Sequence, residues 1–164
     1  MKASDTEIVQ LYRDAPNALM EAVTGLREEE LDLSRGDGKW SIREIVHHIV
    51  ECDLNYFQIN RYALANTGET YMFNEFDAHV WNRTMDHSTR AIENEVRLFS
   101  VIREYIAYLC EITPDSLDRI LIHQNGTATV RDALNHDIEH AYHHIEQIRE
   151  TRKIHNIEDT VKRA

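Results

Sequence analysis

Near its C-terminus the chain reads His136-Asp-Ile-Glu-His140-Ala-Tyr-His143-His144-Ile-Glu-Gln147, a stretch that contains neither glycine nor proline. Histidines 136, 140 and 144 recur every four residues, so on an α-helix they lie along one side with a drift of about 40° per step. Apolar residues with helical spacing run beside them, at Leu134, Ile138, Ala141, Ile145 and Ile148. The pattern predicts an amphipathic helix that carries a row of imidazoles at the border of its buried face.

The composition of the whole chain favours long helices. Only 5 glycines and 2 prolines interrupt its 164 residues, and 42% of the residues are apolar. This length is enough for one domain with its own core and is too short for two. We therefore expect residues 1–164 to form a single helical-bundle domain, with a charged tail that frays after Asn156.

Charge and hydropathy exclude several classes of function. The formal charge of −11 disfavours binding to nucleic acid or to an anionic membrane. No apolar run approaches the roughly 20 residues of a membrane span, and residues 1–7 lack the apolar core of a signal peptide. Two cysteines, Cys52 and Cys110, do not make a disulfide framework. These features predict a cytoplasmic protein without a nucleic-acid or membrane partner.

Apolar periodicity divides the chain into four long helical segments, at about residues 5–26, 41–66, 88–112 and 129–153. Helices of this length joined in series are typical of an all-α fold. The fold class that we expect is therefore an up-and-down four-helix bundle.

Local signals mark the ends of these segments. The second and fourth open with Ser41-Ile-Arg-Glu44 and Thr129-Val-Arg-Asp132, which have the form of a capping box. Pro16 predicts a kink in the first helix or a later start. Asn125-Gly126 marks a turn after a short stretch, 117–123, of ambiguous structure. The aromatic-rich connection 71–82 is predicted to be partly helical.

Helical phase separates two adjacent histidines on the second helix. The apolar face of this helix is formed by Ile45, Ile49, Cys52, Tyr56 and Ile59. His48 lies at the edge of that face, whereas His47 falls roughly opposite. We therefore expect His48 to point into the bundle and His47 to point into water.

Two histidines at i and i+4 on one helix can bind a single metal ion through their neutral imidazoles. His140 and His144 form such a pair, and His48 on a facing helix could supply a third ligand. Spacing alone leaves open that these are ordinary surface or hydrogen-bonded histidines, because ten histidines in 164 residues make an accidental pair common.

Four sequence elements carry a resemblance to a known family. Trp40-Ser-Ile-Arg-Glu-Ile-Val-His-His48 resembles the Trp-Ser-x-x-Glu-x-x-x-His element of the DinB superfamily, and His140-x-x-x-His144-x-x-Gln147 resembles its second metal element. Phe76-Asp-Ala-His-Val-Trp81 and His123-Gln-Asn-Gly126 are similar to segments of the YfiT branch. The resemblance implies a DinB/YfiT-like four-helix bundle, often dimeric, in which His48, His140 and His144 hold a divalent metal.

The same resemblance implies one divalent metal ion per chain. Zinc or nickel is the expected ion for three imidazoles, and manganese is an alternative. Three protein ligands leave coordination positions open, which is typical of catalytic rather than structural sites. An ion held in this way can lower the pKa of bound water to about 7, or it can deprotonate a bound thiol.

Three functions fit these features. The first is a metal-dependent S-transferase that activates a low-molecular-weight, bacillithiol-like thiol and transfers it to an electrophilic substrate, as relatives of this fold do. The second is a metal-dependent hydrolase that uses metal-bound hydroxide. The third is a non-enzymatic bundle that binds a metal or a partner. We expect an enzyme, and the resemblance implies a homodimer.

Four more residues are candidates for the pocket or for contacts with the metal ligands: Gln147, Cys52, Trp81 and Asn82. Gln147 could bond either a metal ligand or another helix. The Cys52 thiol could approach the metal, but a buried cysteine more often only packs. Trp81 and Asn82 lie where the resemblance implies a pocket wall, although a tryptophan more often packs in a core. Of the other histidines, His136 is expected to be peripheral and His143 to face solvent or another subunit.

Overall fold

The computed structural model describes residues 5–157 and is mostly helical. Its α-helices are α1 (Asp5–Val23), α2 (Ile42–Ala65), α3 (Ala78–Thr84), α4 (Glu93–Ile112) and α5 (Val130–Ile154). Its strands are β1 (Thr70–Tyr71), β2 (Ile120–His123) and β3 (Gly126–Thr129), and short 3-10 turns cover Glu28–Asp32 and Ser116–Asp118. Apart from Ile157, the predicted frayed tail after Asn156 lies outside the described residues. Residues 1–4, from the segment compared with signal peptides, also lie outside them.

The four long helices form the predicted bundle. α1 packs against α4 and α5, and α2 packs against the same two helices. α1 and α2 therefore lie on one diagonal, whereas consecutive helices of the simplest up-and-down bundles are adjacent. The connections 24–41 and 113–129 are long enough to cross the ends of the bundle, which permits this order. It places α2 directly beside α5, so the two histidine-bearing helices share one interface.

Capping boxes fix the starts of these two helices, as the sequence predicts. The Ser41 hydroxyl accepts a hydrogen bond from the Glu44 backbone N–H at 3.2 Å, and the Glu44 carboxylate accepts one from the Ser41 N–H at 2.8 Å. Thr129 and Asp132 make the equivalent pair of bonds at the start of α5. Each box satisfies N–H groups that a helix start leaves without intrahelical partners. Asn66 follows the last residue of α2 as its C-cap and has the left-handed backbone conformation.

The stretch 117–123, which the sequence left ambiguous, ends in the strand β2. β2 pairs antiparallel with β3 across the predicted Asn125-Gly126 turn, and β1 adds to the other edge of β2 in parallel. Gly126 has φ of +142°, a conformation that suits glycine. Periodicity could not assign this stretch because strands of four residues carry too few positions to distinguish them from a helical turn. The small sheet contacts α2 and forms a wall beside it.

The structure differs from the predicted bounds at the end of α1 and at the start of α4. α1 ends at Val23 rather than near Leu26, and it runs from Asp5 with Pro16 inside it, so it does not start later. α4 begins at Glu93 rather than near residue 88. The connection 85–92 that replaces its first turn lies against the outer face of α2, where the Arg90 carbonyl contacts the side chains of Arg43 and His47.

A buried polar group lies within the apolar interior of the bundle. The Arg103 guanidinium donates to both carboxylate oxygens of Asp53, at 3.0 and 2.8 Å, and to the backbone carbonyl of Asp137 at 2.9 Å. Its planar face also lies over the rings of Tyr12 and Phe99, at 4.3 and 4.7 Å. Such a fully paired ion pair tolerates burial, whereas loss of one partner costs about 3–5 kcal/mol.

The outer surface of α4 carries an apolar stripe. Large side chains are exposed along it at spacings of three and four residues, at Leu98, Val101, Tyr105, Tyr108 and Ile112. A stripe with this spacing is suited to packing against another helix. The homodimer stays a prediction. None of the helices within residues 5–157 has an apolar run long enough to cross a membrane.

Candidate metal centre

Three imidazole side chains from the two facing helices lie close together. The Nε2 atom of His48 on α2 lies 3.0 Å from Nε2 of His144 and 3.2 Å from Nε2 of His140, both on α5. The rings of His140 and His144 are 4.7 Å apart between their centres. The structure thus brings together the three histidines that the sequence resemblance singles out.

All three imidazoles are neutral at physiological pH. Burial, followed by the electrostatic effect of neighbouring histidines, lowers the pKa of His48 and of His140 to about 3. Burial also lowers the pKa of His144. A metal ion binds only unprotonated imidazole nitrogen, so this environment keeps the three side chains in the form that a ligand must have.

Gln147 fixes which nitrogen of His144 carries the proton. The Gln147 Oε1 atom lies 3.0 Å from His144 Nδ1 and can only accept, so Nδ1 is the protonated nitrogen. The amide nitrogen of Gln147 donates to His143 Nε2 at 2.9 Å, which holds the amide in this orientation. The lone pair of His144 Nε2 therefore faces the cluster. His140 has no such support, since its Nδ1 is buried without a hydrogen-bond partner within residues 5–157.

Two of the three nitrogen-to-nitrogen separations fit a shared ion, whereas the ligand atoms that all lie within 4.8 Å of one another belong to His48, Cys52 and His140 and leave out His144. Two nitrogens that each lie about 2.1 Å from one ion are about 3.0–3.4 Å apart for angles between 90° and 109°. The two measured Nε2 separations, 3.0 and 3.2 Å, fall in this range. Three neutral imidazoles are suited to a borderline divalent cation such as Zn²⁺ or Ni²⁺.

Cys52 offers a competing third ligand. Its sulfur, one ligand nitrogen of His48 and one of His140 all lie within 4.8 Å of one another. The sulfur is nevertheless 3.7 and 3.8 Å from the two nitrogens of His48, farther away than His144. Without a metal, burial and the nearby Asp53 carboxylate raise the pKa of the Cys52 thiol to about 12. The shorter contact with His48 favours His144 as the third ligand, and Cys52 lies beside the cluster.

Aromatic rings enclose the cluster on two sides. The Trp40 ring lies 4.7 Å from the His48 ring and 4.9 Å from the ring of His79, at the start of α3. On the other side Tyr56 packs edge-to-face on His140 at 5.5 Å and on His136 at 5.1 Å. Trp40 belongs to the first motif of the sequence, whereas nothing in the spacing of His79 indicated that it would lie near the cluster.

A cavity of about 400 Å³ opens beside the cluster. None of the three clustered histidines is among the described residues that line the cavity, but Cys52 and Tyr56 are, and these two side chains contact His48 and His140. The opposite wall comes from segment 71–76 and the hairpin β2–β3, and α5 contributes His136 and Asp137. A cavity of this size next to a candidate metal centre is a candidate substrate site.

The other sequence candidates take different positions. Trp81 is 37% exposed and packs on Phe76, 5.1 Å away between ring centres, while Asn82 is buried. Neither of them lines the cavity. His136 is largely exposed at the cavity rim next to Asp137, and His143 is exposed and contacts Gln147. The wall formed by 71–76 was not predicted residue by residue, although its density of aromatic side chains was visible in the sequence.

The prediction that His47 faces water is wrong. Its side chain is fully buried, with Nε2 donating to the Arg90 carbonyl at 3.1 Å and Nδ1 3.2 Å from a Glu95 carboxylate oxygen. The ring also stacks on that of His87 at 5.0 Å. Helical phase predicts only whether a side chain points toward or away from the other helices of the bundle. It contains no information about the connection 85–92, which covers the opposite face of α2.

Comparison with known proteins supports these features. The family model described as DinB superfamily matches residues 11–148. The Oceanobacillus iheyensis protein named Putative metal-dependent hydrolase OB0413 is 33% identical over 135 residues, which are 81% of this chain and 76% of that protein. The Bacillus subtilis protein named Putative metal-dependent hydrolase YfiT is 27% identical over 145 residues, which are 87% of this chain and 80% of that protein.

Two solved structures share the fold. The structure of YfiT, described as having an unusual four-helix bundle topology, matches with a TM-score of 0.83 and 24% identity over 96% of this chain and 92% of that chain. A mycothiol-dependent maleylpyruvate isomerase matches with a TM-score of 0.68 and 15% identity over 89% of this chain and 61% of that chain. At these identities the likeness concerns the fold.

Proposed function

Because the chain belongs to the DinB superfamily, we propose that it is a metal-dependent enzyme whose ion is held by His48, His140 and His144. Its proposed reaction is the transfer of a low-molecular-weight thiol to an electrophilic substrate. The observation that carries the proposal is the convergence of three neutral imidazoles beside a cavity of about 400 Å³. The cavity lies next to the histidines rather than being lined by them, and its wall residues Cys52 and Tyr56 contact them; this proximity favours an enzyme over a non-enzymatic bundle.

Both candidate reactions use a nucleophile that a bound ion would deprotonate, either a thiol or a water. Burial raises the pKa of the Cys52 thiol to about 12 and that of the Tyr56 hydroxyl well above its usual range, so neither group is a base in either reaction. The fold shared with a mycothiol-dependent isomerase agrees with a thiol as the co-substrate.

The reaction assigns simple roles to the side chains. When bound, a divalent cation supplies Lewis acidity that lowers the pKa of a coordinated thiol. The thiol proton passes to solvent, the sulfur forms a bond to the electrophilic carbon, and the leaving group departs with its electron pair. Gln147 holds His144 in the tautomer that a ligand needs. Trp40 and Tyr56 exclude water from the two sides of the cluster.

Metal analysis is the first test. Untagged protein, purified without nickel resin, is analysed by mass spectrometry beside His48→Ala and His144→Ala. His155→Ala serves as the matched control, since it removes an imidazole at the end of α5 that bonds the Ser34 carbonyl, away from the cluster. We expect about one ion per chain in the wild type and control, and none in the other two variants. A wild type that takes up no Zn²⁺, Ni²⁺ or Mn²⁺ would remove the basis of the proposal.

Thiol binding is the second test. Co²⁺-substituted protein is titrated with bacillithiol, mycothiol, glutathione and cysteine while its visible absorption spectrum is recorded. Coordination of a thiolate is expected to add a sulfur-to-cobalt charge-transfer band that saturates with one of these thiols. Cys52→Ser is titrated in parallel, so that a band from the protein's own sulfur is recognised. If none of the thiols changes the spectrum, thiol transfer is refuted.

Hydrolysis is the second candidate function, and the names of two relatives favour it. It would use the same three histidines, so metal content cannot distinguish the two reactions. Dependence on a thiol does: a hydrolase would turn over ester or amide substrates in thiol-free buffer, whereas a transferase would require the co-substrate. Turnover without any thiol, lost in His144→Ala and kept in His155→Ala, would replace our first candidate with the second.

A further inference from the structure

The cavity beside the histidine cluster has a chemical character that indicates a class of substrate. We infer that it holds an uncharged, aromatic or otherwise apolar part of the substrate and excludes an anionic one. This inference rests on the proposed function, because it treats the cavity as the substrate site of the metal centre. It concerns the part of the substrate that lies away from the metal.

Aromatic side chains make up much of the cavity wall. Four of them line it, at Tyr56, Tyr71, Phe73 and Phe76. The rings of Tyr71 and Phe73 are 5.7 Å apart between centres, and Phe73 lies 4.8 Å from the ring of His123, so they form a continuous surface. Rings placed in this way accept a flat apolar group by offset or edge-to-face stacking.

The charges in the wall are acidic or neutralised. Neither lysine nor arginine is among the described residues that line the cavity, whereas Asp132 and Asp137 are. The Asp137 carboxylate accepts a hydrogen bond from the Asn60 amide at 2.7 Å and lies 3.5 Å from His136 Nδ1, so a protonated His136 is balanced by its neighbour. An anionic group held against this wall, away from the metal centre, would lose its hydration without gaining a lysine or arginine partner among the described lining residues, which is strongly unfavourable.

The position and the volume of the cavity relate its aromatic surface to the proposed metal centre. Cys52 lines the cavity, and its sulfur lies 3.7 Å from His48 Nδ1, so a bound molecule reaches the edge of the metal centre. A volume of about 400 Å³ is at the small end of the range of ligand sites, which suits one or two fused rings rather than a large cofactor.

The test compares two probes of equal shape and different charge. Binding of 2-naphthalenemethanol and of 2-naphthoate to the full-length protein as purified is measured by ligand-observed NMR and calorimetry. We expect saturable binding of the alcohol, at least about tenfold tighter than that of the carboxylate, because only the carboxylate loses charge solvation. Phe73→Ala should weaken binding of the alcohol about 3- to 10-fold through lost stacking.

Two arginine variants test the role of charge directly. Asn74→Arg adds a cation to the cavity wall and should improve naphthoate binding while leaving the alcohol little changed. Gln58→Arg, on the exposed surface of α2 outside this cavity, is the matched control and should change neither. Naphthoate binding equal to or tighter than that of the alcohol in wild type would overturn the inference. So would alcohol binding that Phe73→Ala leaves intact in a folded variant.

These binding measurements need no turnover, so they separate the inference from the proposed function. A protein that selects the alcohol but shows neither metal uptake nor thiol response keeps its apolar site and loses the proposed reaction. A protein that is active with a metal and a thiol but prefers the carboxylate keeps its reaction and loses the inferred substrate class.

Discussion

His48 and His47 are neighbours on α2, both are buried, and their surroundings are opposite. His48 meets two imidazoles from α5, with nitrogen-to-nitrogen distances of 3.0 and 3.2 Å. His47 stacks on His87 and lies 3.2 Å from the Glu95 carboxylate, which Arg90 also binds at 2.6 Å. We call these the α5-side and the loop-side histidine clusters, after the part of the chain that completes each one.

The difference indicates what suits a buried histidine to bind a metal. In the loop-side cluster Nε2 of His47 donates to a backbone carbonyl, and Nδ1 lies 3.2 Å from a carboxylate oxygen without a hydrogen bond. In the α5-side cluster nitrogens face nitrogens, and Gln147 turns the only proton of His144 outward. The Nε2 lone pair of His144 then faces the cluster. Burial lowers the pKa of His47 as well as that of His48, so burial alone does not distinguish the two clusters.

The largest expected effect comes from breaking the α5-side cluster. His144→Ala removes one of three converging nitrogens, and we expect metal affinity to fall by more than about 100-fold, beyond the loss that follows removal of an outer partner. His47→Ala, which removes the adjacent buried imidazole, should leave the affinity unchanged. Competition with a zinc-binding dye measures both. Equal losses in the two variants would mean that the clusters do not differ in the way that their contacts indicate.

The next largest effect concerns Gln147, which accepts a hydrogen bond from His144. Gln147→Ala deletes the acceptor that orients His144, and metal affinity should fall by about 10- to 100-fold. Gln147→Glu keeps an acceptor at the same position and should recover most of the affinity, because a carboxylate also bonds the Nδ1 proton. The same dye competition serves here. If alanine has no effect in a variant with an unchanged melting temperature, Gln147 does not position the ligand.

The difference between the clusters also explains what the sequence could predict. Periodicity placed His140 and His144 one turn apart and His48 at the edge of an apolar face, and the resemblance to the DinB superfamily singled out these three as a metal triad. Helical periodicity likewise identified the four long helices, and the two capping boxes located the starts of α2 and α5. These features depend on residues that are close in sequence.

The loop-side cluster depends on contacts that periodicity does not encode. His47 is buried by residues 87–95, more than one helix away in the chain, and a polar face on α2 gave no sign of this cover. The short strands β2 and β3 were missed for a related reason, because four residues are too few to show an alternating pattern. The cavity is formed both by the long helices and by segment 71–76 with the hairpin β2–β3. The sequence therefore showed that segment 71–76 is rich in aromatic residues, but it did not show that they line a cavity.

A third effect isolates the structural role of the loop-side cluster. His47→Leu removes the donor to the Arg90 carbonyl and leaves that carbonyl without its side-chain partner. We expect the free energy of unfolding to fall by about 1–3 kcal/mol, with metal content unchanged. Urea denaturation, with zinc stoichiometry determined on the same samples, measures both quantities. A variant that lost its zinc would couple the two clusters, which their separate contacts do not predict.

The smallest effect concerns pH and again separates the clusters. Burial, followed by the electrostatic effects of His47 and Arg90, lowers the pKa of His87 to about 4, although the Glu51 carboxylate lies 3.7 Å away. An unfolded histidine has a pKa of about 6.5. Below pH 6.5 the unfolded chain therefore binds a proton that the folded chain excludes, so stability is highest above this pH and is lost as the pH falls toward 4.

His87→Leu removes the contribution of this group to the pH dependence of stability. Between pH 6.5 and 4.5 the pH dependence of the unfolding free energy should become shallower by about 1 kcal/mol per pH unit on average. In metal-free protein His140→Leu should have a similar effect, because burial lowers the pKa of His140 to about 3. Added zinc distinguishes the two variants: it should raise the melting temperature of His87→Leu as it does that of wild type, and should not stabilise His140→Leu. A zinc effect lost in both would contradict the assignment of metal binding to the α5-side cluster alone.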